Sequence, residues 1–394
     1  MKKNSGPLAG IRIVDMSSVL MGPYATQILA DYGADVIKIE DANGDLLRLA
    51  GAMRSPKMGS VFLHCNRNKR SVVIDAKSEA GHAALMKLCK DADIFVSNVR
   101  PAALKRLKMG YQDLKAHNPD IIYVSLVGYG QRGPYKDRPA FDDLMQGISG
   151  IPALASRANG GKPQYAPINL ADKVAGISAV HAILAALVHK VRTGRGQSVE
   201  VPMFEVLTQF VLSDHMGGYS FEPALGPIGY NRLLSPDRRP YETKDGFLSI
   251  LVYTDGHWKR FFQLLGRSKE FERTPMFHDH ATRTRSYDEV YRFLAAEIRK
   301  KTSAEWMEGL QASDIPYAPM HSAEELINDP HIKAVDLIQT IDHPTEGKMR
   351  MFAPPIIFSE TPSSIRRHPP RLGEHTREVF EEFGIPTEPA AAKK

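Results

Sequence analysis

The sequence has 394 residues, of which 43% are hydrophobic and 24% are charged, a composition typical of soluble globular proteins. This length is too great for one simple core and allows two domains. The formal net charge is +6 and the basic residues are dispersed, which favours a small anionic ligand over a DNA-binding surface.

The two cysteines, Cys65 and Cys89, are too few and too isolated for a disulfide framework or a zinc site. The amino-terminal residues lack the apolar segment of a signal peptide, and we identify no apolar run of membrane-spanning length. These features predict a cytoplasmic protein that binds neither nucleic acid nor membrane.

Hydrophobic, β-branched runs alternate with helical patterns in the first third of the chain. The predicted strands cover residues 11–17, 35–40, 71–75, 93–99 and 121–127. Because helical patterns such as residues 78–89 lie between them, the sequence predicts an α/β fold with a large, Rossmann-like open parallel sheet of doubly wound type.

A glycine-rich motif, GYGQRG, follows the fifth predicted strand at residues 128–133. A dinucleotide-binding motif of this spacing must open a helix, which Pro134 and Pro139 prevent here. We predict instead a loop at the carboxyl edge of the sheet, where ligands bind in such folds. Asp142 and Asp143 follow at the start of a helix, either as caps or as a second candidate site.

A short extended segment turns at Asp172 into a long apolar helix that ends at Gly194. The pattern predicts Asp172 at the helix N-cap or within one residue of it. The helix dipole would then lower the pKa of this carboxyl slightly and keep it ionised. An aspartate at such a position is either a structural cap alone or a fixed reactive carboxylate.

Beyond a sixth predicted strand at residues 197–201, the sequence becomes rich in glycine and proline over residues 217–240, which predicts a linker. A smaller α+β block follows, and then a proline-rich carboxyl-terminal stretch. There is no P-loop, G-x-S-x-G, H-E-x-x-H or C-x-x-C motif. We interpret the His278-Asp279-His280 triplet as a polar loop and predict no metal site.

Several segments in a fixed order resemble one family over nearly the whole chain. They include PLAGIRIVDMSSVLMGPYATQILADYGADVIKIE, NRNKRSVVIDAKS, VSLVGYGQRGPY, INLADKVAGISAVHAILAALVHKVRTGRGQSVEVPM and DIPYAPMHSAEELINDPH. The chain resembles the class III CoA-transferases, which include carnitine, bile-acid and formyl-CoA transferases as well as α-methylacyl-CoA racemases. The resemblance implies an interlocked homodimer whose large domain contains both chain ends.

With this resemblance we predict five regions along the chain. They are a large CoA-binding domain over residues 1–205, a linker over 206–238, a small α+β domain over 239–318, a linker over 319–345, and a carboxyl-terminal segment over 346–394 that returns to the large domain.

The resemblance also implies site residues. Asp172 would be the nucleophile that forms an aspartyl anhydride and then an aspartyl-CoA thioester, and Asp142 a supporting acid. Coenzyme A would be a substrate and no cofactor would be permanently bound. The positions that match the family's CoA contacts are Val19, Leu20, Lys38, Ile74, Lys77, Asn98 and Arg106. Leu20 and also Asp41 depart from better-known members, so the adenine end of CoA would be held differently.

Three functions remain open at this point. The family's racemases have a histidine where this chain has Phe141, which carries no exchangeable proton, so we favour a CoA-transferase over a racemase or epimerase. A non-catalytic CoA-binding protein is the third alternative. The transferase would use succinyl-CoA or acetyl-CoA and a small acid, and Arg232, Arg238 and Arg239 could meet the second carboxylate of a dicarboxylic acid.

Overall fold

The computed structural model describes residues 6–386. The strands are β1 (Arg12–Met16), β2 (Asp35–Glu40), β3 (Lys69–Val73), β4 (Ile94–Ser97), β5 (Ile122–Val127), β6 (Ser198–Pro202), β7 (Tyr241–Glu242), β8 (Phe247–Ile250), β9 (Tyr317–Pro319), β10 (Ile338–His343) and β11 (Gly347–Phe352). The helices are α1 (Met21–Asp31), α2 (Ser60–Leu63), α3 (Glu79–Lys90), α4 (Pro101–Arg106), α5 (Tyr111–His117), α6 (Asp142–Ile148), α7 (Ile151–Asn159), α8 (Leu170–Thr193), α9 (Met203–His215), α10 (Asn231–Leu234), α11 (Asp255–Leu264), α12 (Ser268–Arg273), α13 (His280–Arg283), α14 (Tyr287–Ile298), α15 (Ser303–Ala312), α16 (Ala323–Leu326), α17 (Pro330–Ala334) and α18 (Thr376–Glu382).

The main sheet has six strands in the order β3-β2-β1-β4-β5-β6, and every neighbouring pair is parallel. Val14 on β1 lies opposite Ile37 on β2 and Phe95 on β4, and all three side chains are fully buried. The predicted doubly wound parallel sheet is therefore confirmed. The strand order reverses between β1 and β4, so the loops that follow these strands border the crevice where ligands bind in open α/β sheets.

Helix α8 is the long apolar helix that the sequence predicts, and it packs on α1. Ala175, Ala179 and Ile183 on one face are fully buried. Gly176 lies so close to α1 that a Cβ atom there would be 2.8 Å from the main-chain oxygen of Met21. Gly194 ends the helix in a left-handed conformation with φ of 72°, as expected.

The predicted N-cap of α8 is wrong. The helix begins at Leu170 after Asn169, so Asp172 is its third residue. The amide of Lys173 donates to the main-chain oxygen of Asn169, and this bond closes the first turn. The prediction failed because an acidic residue favours the cap and the first turn alike.

The expectation that no apolar run has membrane-spanning length is also wrong for α8. Residues Leu170–Thr193 form a helix long and apolar enough to cross a bilayer by length and composition. Part of this apolar surface packs on α1, which is what a core helix of the sheet domain requires.

The described residues form two compact units. The first contains residues up to Ser149, Pro167–Gln209 and the residues from Pro330 onward, and the second contains Gly150–Ala166 and Phe210–Asp329. The second unit has an antiparallel sheet, β7-β8-β9, and an aromatic core in which Trp258 stacks on Phe277 with ring centroids 4.6 Å apart.

These units correct the predicted regions in three places. Residues 150–166 lie in the second unit, because α7 packs on α10. The predicted linker over 206–238 contains most of α9 and all of α10. The predicted boundary at 345/346 falls in the turn of the β10–β11 hairpin, whose strands the flanking prolines concealed. The final residues of the predicted segment 346–394, from 387 onward, lie outside the described residues.

Candidate active site

A cavity of about 300 Å³ lies at the carboxyl ends of β1, β4 and β5 in the first unit. Residues 18–21 after β1, residues 98–101 after β4 and residues 126–128 at the end of β5 contribute to its wall. Phe141 and Asp172 complete one side. The cavity therefore occupies the crevice that the strand order predicts, and it brings Asp172 to the carboxyl edge of the sheet.

Asp172 is half-buried in the first turn of α8, and its side chain lines this cavity. Burial, followed by the neighbouring carboxylate of Asp142, raises the pKa of Asp172 to about 7. The predicted slight lowering by the helix dipole is therefore wrong, because the dipole contributes only about 0.3–1 kcal/mol and burial outweighs it. Near neutral pH this carboxyl exists in both protonation states.

Asp142 holds the first turn of α8 in place from the neighbouring helix α6. One of its carboxylate oxygens accepts the main-chain N–H of Asp172 at 2.9 Å, and the other accepts the side-chain amide of Gln146 at 2.6 Å. The same amide group of Gln146 also donates to the main-chain oxygen of Ile168 at 3.2 Å. Asp142 thus serves as an N-terminal cap supplied by another helix, and it lies behind Asp172, outside the cavity lining.

The loop after β1 is held in an uncommon conformation. Val19 has φ of 66°, which costs a β-branched residue energy and requires support from its surroundings. Its N–H donates to a carboxylate oxygen of Asp45 at 3.0 Å. On the other side, Ser18 and Asn98 exchange two hydrogen bonds of 3.0 and 2.8 Å. Contacts on both flanks therefore fix this part of the cavity wall.

A buried ionic network supports the loop from below. The ammonium group of Lys38 donates to Asp45 and to the main-chain oxygen of Ser17, each at 2.9 Å. Lys69 lies 3.3 Å from Asp15, and burial lowers the pKa of Lys69 to about 8. Burial opposes ionisation of Asp15, but Lys69 and Lys38 hold its pKa below the usual value. Buried charges of this kind persist because each has an opposite charge beside it.

Comparisons with known proteins identify the family. The model of CoA-transferase family III matches residues 8–376. The chain belongs to this family. It is 33% identical to the succinate–glutarate CoA-transferase of Agrobacterium fabrum, with 97% of each chain covered. It is 32% identical to the succinyl-CoA–L-malate CoA-transferase beta subunit of Chloroflexus aurantiacus, over 96% of this chain and 94% of that one.

A solved structure shares the same fold. The crystal structure of Rv3272 from Mycobacterium tuberculosis superposes with a TM-score of 0.82 at 28% identity, covering 95% of this chain and 99% of that chain. The fold and the enzyme class predicted from the sequence are therefore confirmed: this chain is a CoA-transferase of family III.

The structure divides the predicted CoA-contact residues into those that line the cavity and those that lie elsewhere. Val19, Leu20 and Asn98 line the cavity. Ile74 is packed in the core, whereas Lys77 and Arg106 are exposed elsewhere on the surface. Val19, Leu20 and Asn98 thus line the same cavity as Asp172, and the side chain of Ile74 is unavailable to a ligand.

Lys38 cannot serve as a direct ligand to CoA in this arrangement. Its side chain has no exposed surface, and it is bound to Asp45. Asp41, the other unusual position, closes an exposed turn by accepting the main-chain N–H groups of Asn43 and Gly44 at 2.8 and 3.0 Å. Lys38 and Asp41 therefore stabilise the conformation of the chain that follows β2.

The same cavity is also lined by three cationic residues that the sequence analysis did not predict as site residues, Arg100, Lys136 and Arg138. Their position after the fourth and fifth predicted strands is the signal that could have revealed them, since the carboxyl ends of parallel strands meet at one edge. Within the second unit, the guanidinium of Arg232 donates to the hydroxyl of Tyr291 at 3.0 Å, and Arg239 lies 3.7 Å from Asp237.

The remaining candidate, the His278-Asp279-His280 triplet, has a structural explanation. Asp279 accepts the main-chain N–H of Thr282 at 2.8 Å and thereby caps α13. Within residues 6–386, no group of three or more histidine, cysteine, aspartate or glutamate side chains has the arrangement of a metal site.

Proposed function

We propose that this CoA-transferase moves CoA from an acyl-CoA donor to a small dicarboxylic acid, with Asp172 as the nucleophile. The observation that carries the proposal is the position of Asp172. Its carboxyl group, with a pKa raised to about 7, is fixed at the start of a partly buried helix, in a cavity whose other charged lining residues are all cations. The succinate–glutarate and succinyl-CoA–malate relatives support a dicarboxylic acceptor.

The proposed reaction has four steps. The carboxylate of Asp172 attacks the thioester carbonyl of the donor and expels the CoA thiolate, which gives a mixed anhydride. The thiolate then attacks the aspartyl carbonyl, releases the donor acid and forms an aspartyl-CoA thioester. The acceptor carboxylate expels the thiolate again and forms a second anhydride. The thiolate attacks the acceptor's carbonyl, which gives the new acyl-CoA and restores the carboxylate.

The raised pKa makes the first step easier. The pKa of an ordinary aspartate is about 4.6 units below that of a free thiol. When such a carboxylate attacks a thioester, the thiolate that it expels is therefore a much stronger base than the carboxylate itself. With the pKa of Asp172 at about 7, this difference falls to about 1.5. A less stabilised carboxylate is a better nucleophile, and Asp142 helps by holding the main chain of Asp172 while its charge opposes ionisation.

We further propose a cytoplasmic homodimer that binds neither nucleic acid nor membrane. Support for the dimer comes from an apolar groove of about 890 Å³ on the first unit, whose lining includes Tyr24, Ile177, Phe352 and Ile356. Such a groove fits a protein partner better than a charged metabolite. The two cysteines are free and buried, which suits a reducing compartment.

Steady-state kinetics test the proposal. The protein, mixed with succinyl-CoA or acetyl-CoA and a panel of acids, should show ping-pong kinetics and prefer dicarboxylic acceptors. Asp172→Asn should still bind CoA and lose about 10³-fold or more in kcat. Sequential kinetics, or an Asp172→Asn variant with most of its activity, would contradict the mechanism.

One observation favours a racemase as the second candidate. A carboxyl group whose pKa is about 7 suits proton transfer as well as nucleophilic attack. Phe141 provides no second proton carrier beside it. Incubation of a 2-methylacyl-CoA in heavy water distinguishes the two reactions, because a transferase should incorporate no deuterium at the α-carbon and a racemase should.

A further inference from the structure

The cavity that contains Asp172 has an excess of positive charge. Arg100, Lys136 and Arg138 line it, and none of the three has an ion-pair partner among residues 6–386. Unpaired cations around one carboxyl group indicate that a substrate brings further negative charge into this space.

Arg138 differs from the other two cations because aromatic rings fix its position. Its guanidinium carbon lies 3.8 Å from the ring centroid of Tyr135. Tyr135 meets the buried Tyr129 edge to face at 5.6 Å, and Tyr129 in turn packs on Phe204 at 5.6 Å. This series of contacts connects an exposed arginine to the core of the first unit. A guanidinium held in this way loses less conformational entropy when it binds a ligand.

We propose that Arg138 binds the distal carboxylate of the dicarboxylic acid whose other carboxylate reacts at Asp172. The inference rests on the proposed function and names the residue that selects a diacid. A planar guanidinium can donate two parallel hydrogen bonds to a carboxylate, which gives both binding energy and orientation. Because the donor acid leaves from the position that the acceptor acid then enters, Arg138 recognises the succinyl group of a donor in the same way.

The dimensions of CoA favour this assignment over binding of its phosphates. The pantetheine arm places the diphosphate about 15 Å from the sulfur when extended, judged from the reach of a covalent chain. The cavity encloses only about 300 Å³, so it cannot hold the extended arm and the diphosphate together with the acyl group. With the sulfur at Asp172, the phosphates therefore lie beyond the cavity, and its cations face the acyl end.

The experiment compares two acceptors that differ only in the distal carboxylate. With acetyl-CoA as the donor, kcat/KM is measured for glutarate and for valerate in the wild-type protein, Arg138→Leu and Arg138→Lys. Arg138→Leu should lower kcat/KM for glutarate about 10- to 100-fold and change valerate by less than about twofold. Arg138→Lys should restore part of the loss. Arg132→Leu is the matched control, since Arg132 is an exposed arginine of the same loop outside the cavity lining.

The outcomes test the proposed substrate class and the assignment of Arg138 separately. Wild-type protein that turns over valerate but no dicarboxylic acid contradicts the proposed substrate class. Wild-type protein that prefers glutarate, with Arg138→Leu showing the same preference, overturns only the assignment of Arg138. An equal loss for both acids would mean that Arg138 acts on CoA or on Asp172, and a selective loss in Lys136→Leu alone would move the role to Lys136.

Discussion

Replacement of Asp142 by asparagine tests the origin of the raised pKa of Asp172. Asparagine keeps an oxygen that can accept the main-chain N–H of Asp172, so the first turn of α8 keeps its support. The negative charge that opposes ionisation of Asp172 is removed. The pKa of Asp172 should therefore fall while its position stays the same.

The size of the effect follows from the two causes of the raised pKa. At pH 6 a carboxyl with a pKa of about 7 is only about one-tenth ionised, so complete ionisation raises the acylation rate at most about tenfold. Burial is the larger cause and remains in the variant. We therefore expect an increase of about two- to fivefold at pH 6. Above about pH 8, where Asp172 is ionised in both proteins, the variant should be no faster than the wild type.

The assay is kcat/KM for the acyl-CoA donor between about pH 5 and pH 9. In the wild type the rate should rise with pH through about 7, because the deprotonated form is the nucleophile. In Asp142→Asn the rise should occur at lower pH. Asp143→Asn is the control, since Asp143 is the exposed neighbour on the same helix. A profile that stays unchanged in Asp142→Asn, or moves equally in both variants, would refute the reasoning.

Two further predictions concern the supports of the cavity. Lys38→Met should lower the free energy of unfolding measured in urea by about 3–5 kcal/mol, because the carboxylate of Asp45 is left buried without its counter-ion. As a control, Lys77→Met at an exposed position should change this free energy by less than about 0.5 kcal/mol. A Lys38→Met variant of normal stability with a raised KM for CoA would contradict the structural role. Gly176→Val should lower the free energy of unfolding by about 1–3 kcal/mol, because the valine Cβ would lie 2.8 Å from the main-chain oxygen of Met21. An unchanged free energy of unfolding would show that α1 and α8 can move apart without cost.

The parallel sheet could be predicted because strands β1, β2, β4 and β5 are buried over most of their length and are therefore rich in apolar residues. The position of the cavity could be predicted in outline, since loops after parallel strands meet at one edge. The hairpin β10–β11 was missed because its strands are mostly exposed or half-buried, with one buried residue each, and therefore lack a clear hydrophobic pattern.

The chemistry of the site depends on contacts that no local pattern contains. Asp142 and Asp172 are thirty residues apart in sequence, and only the fold brings the carboxylate of one to the main-chain N–H of the other. Lys38 lies within a strand, where its complete burial depends on which strands flank it. For these reasons the local pattern gave the wrong direction for the pKa of Asp172, and the family resemblance implied a CoA contact for Lys38 although its side chain is buried.

Covalent capture at Asp172 tests the central claim most directly. The protein is incubated with succinyl-CoA in the presence of hydroxylamine and digested, and the mass of the peptide containing Asp172 is measured. An anhydride or thioester at this carboxyl should be converted to a hydroxamate, so the mass change should be confined to this peptide and absent from Asp172→Asn. An unmodified peptide alongside measured turnover, or a hydroxamate on another carboxyl group, would contradict the assignment of Asp172 as the nucleophile.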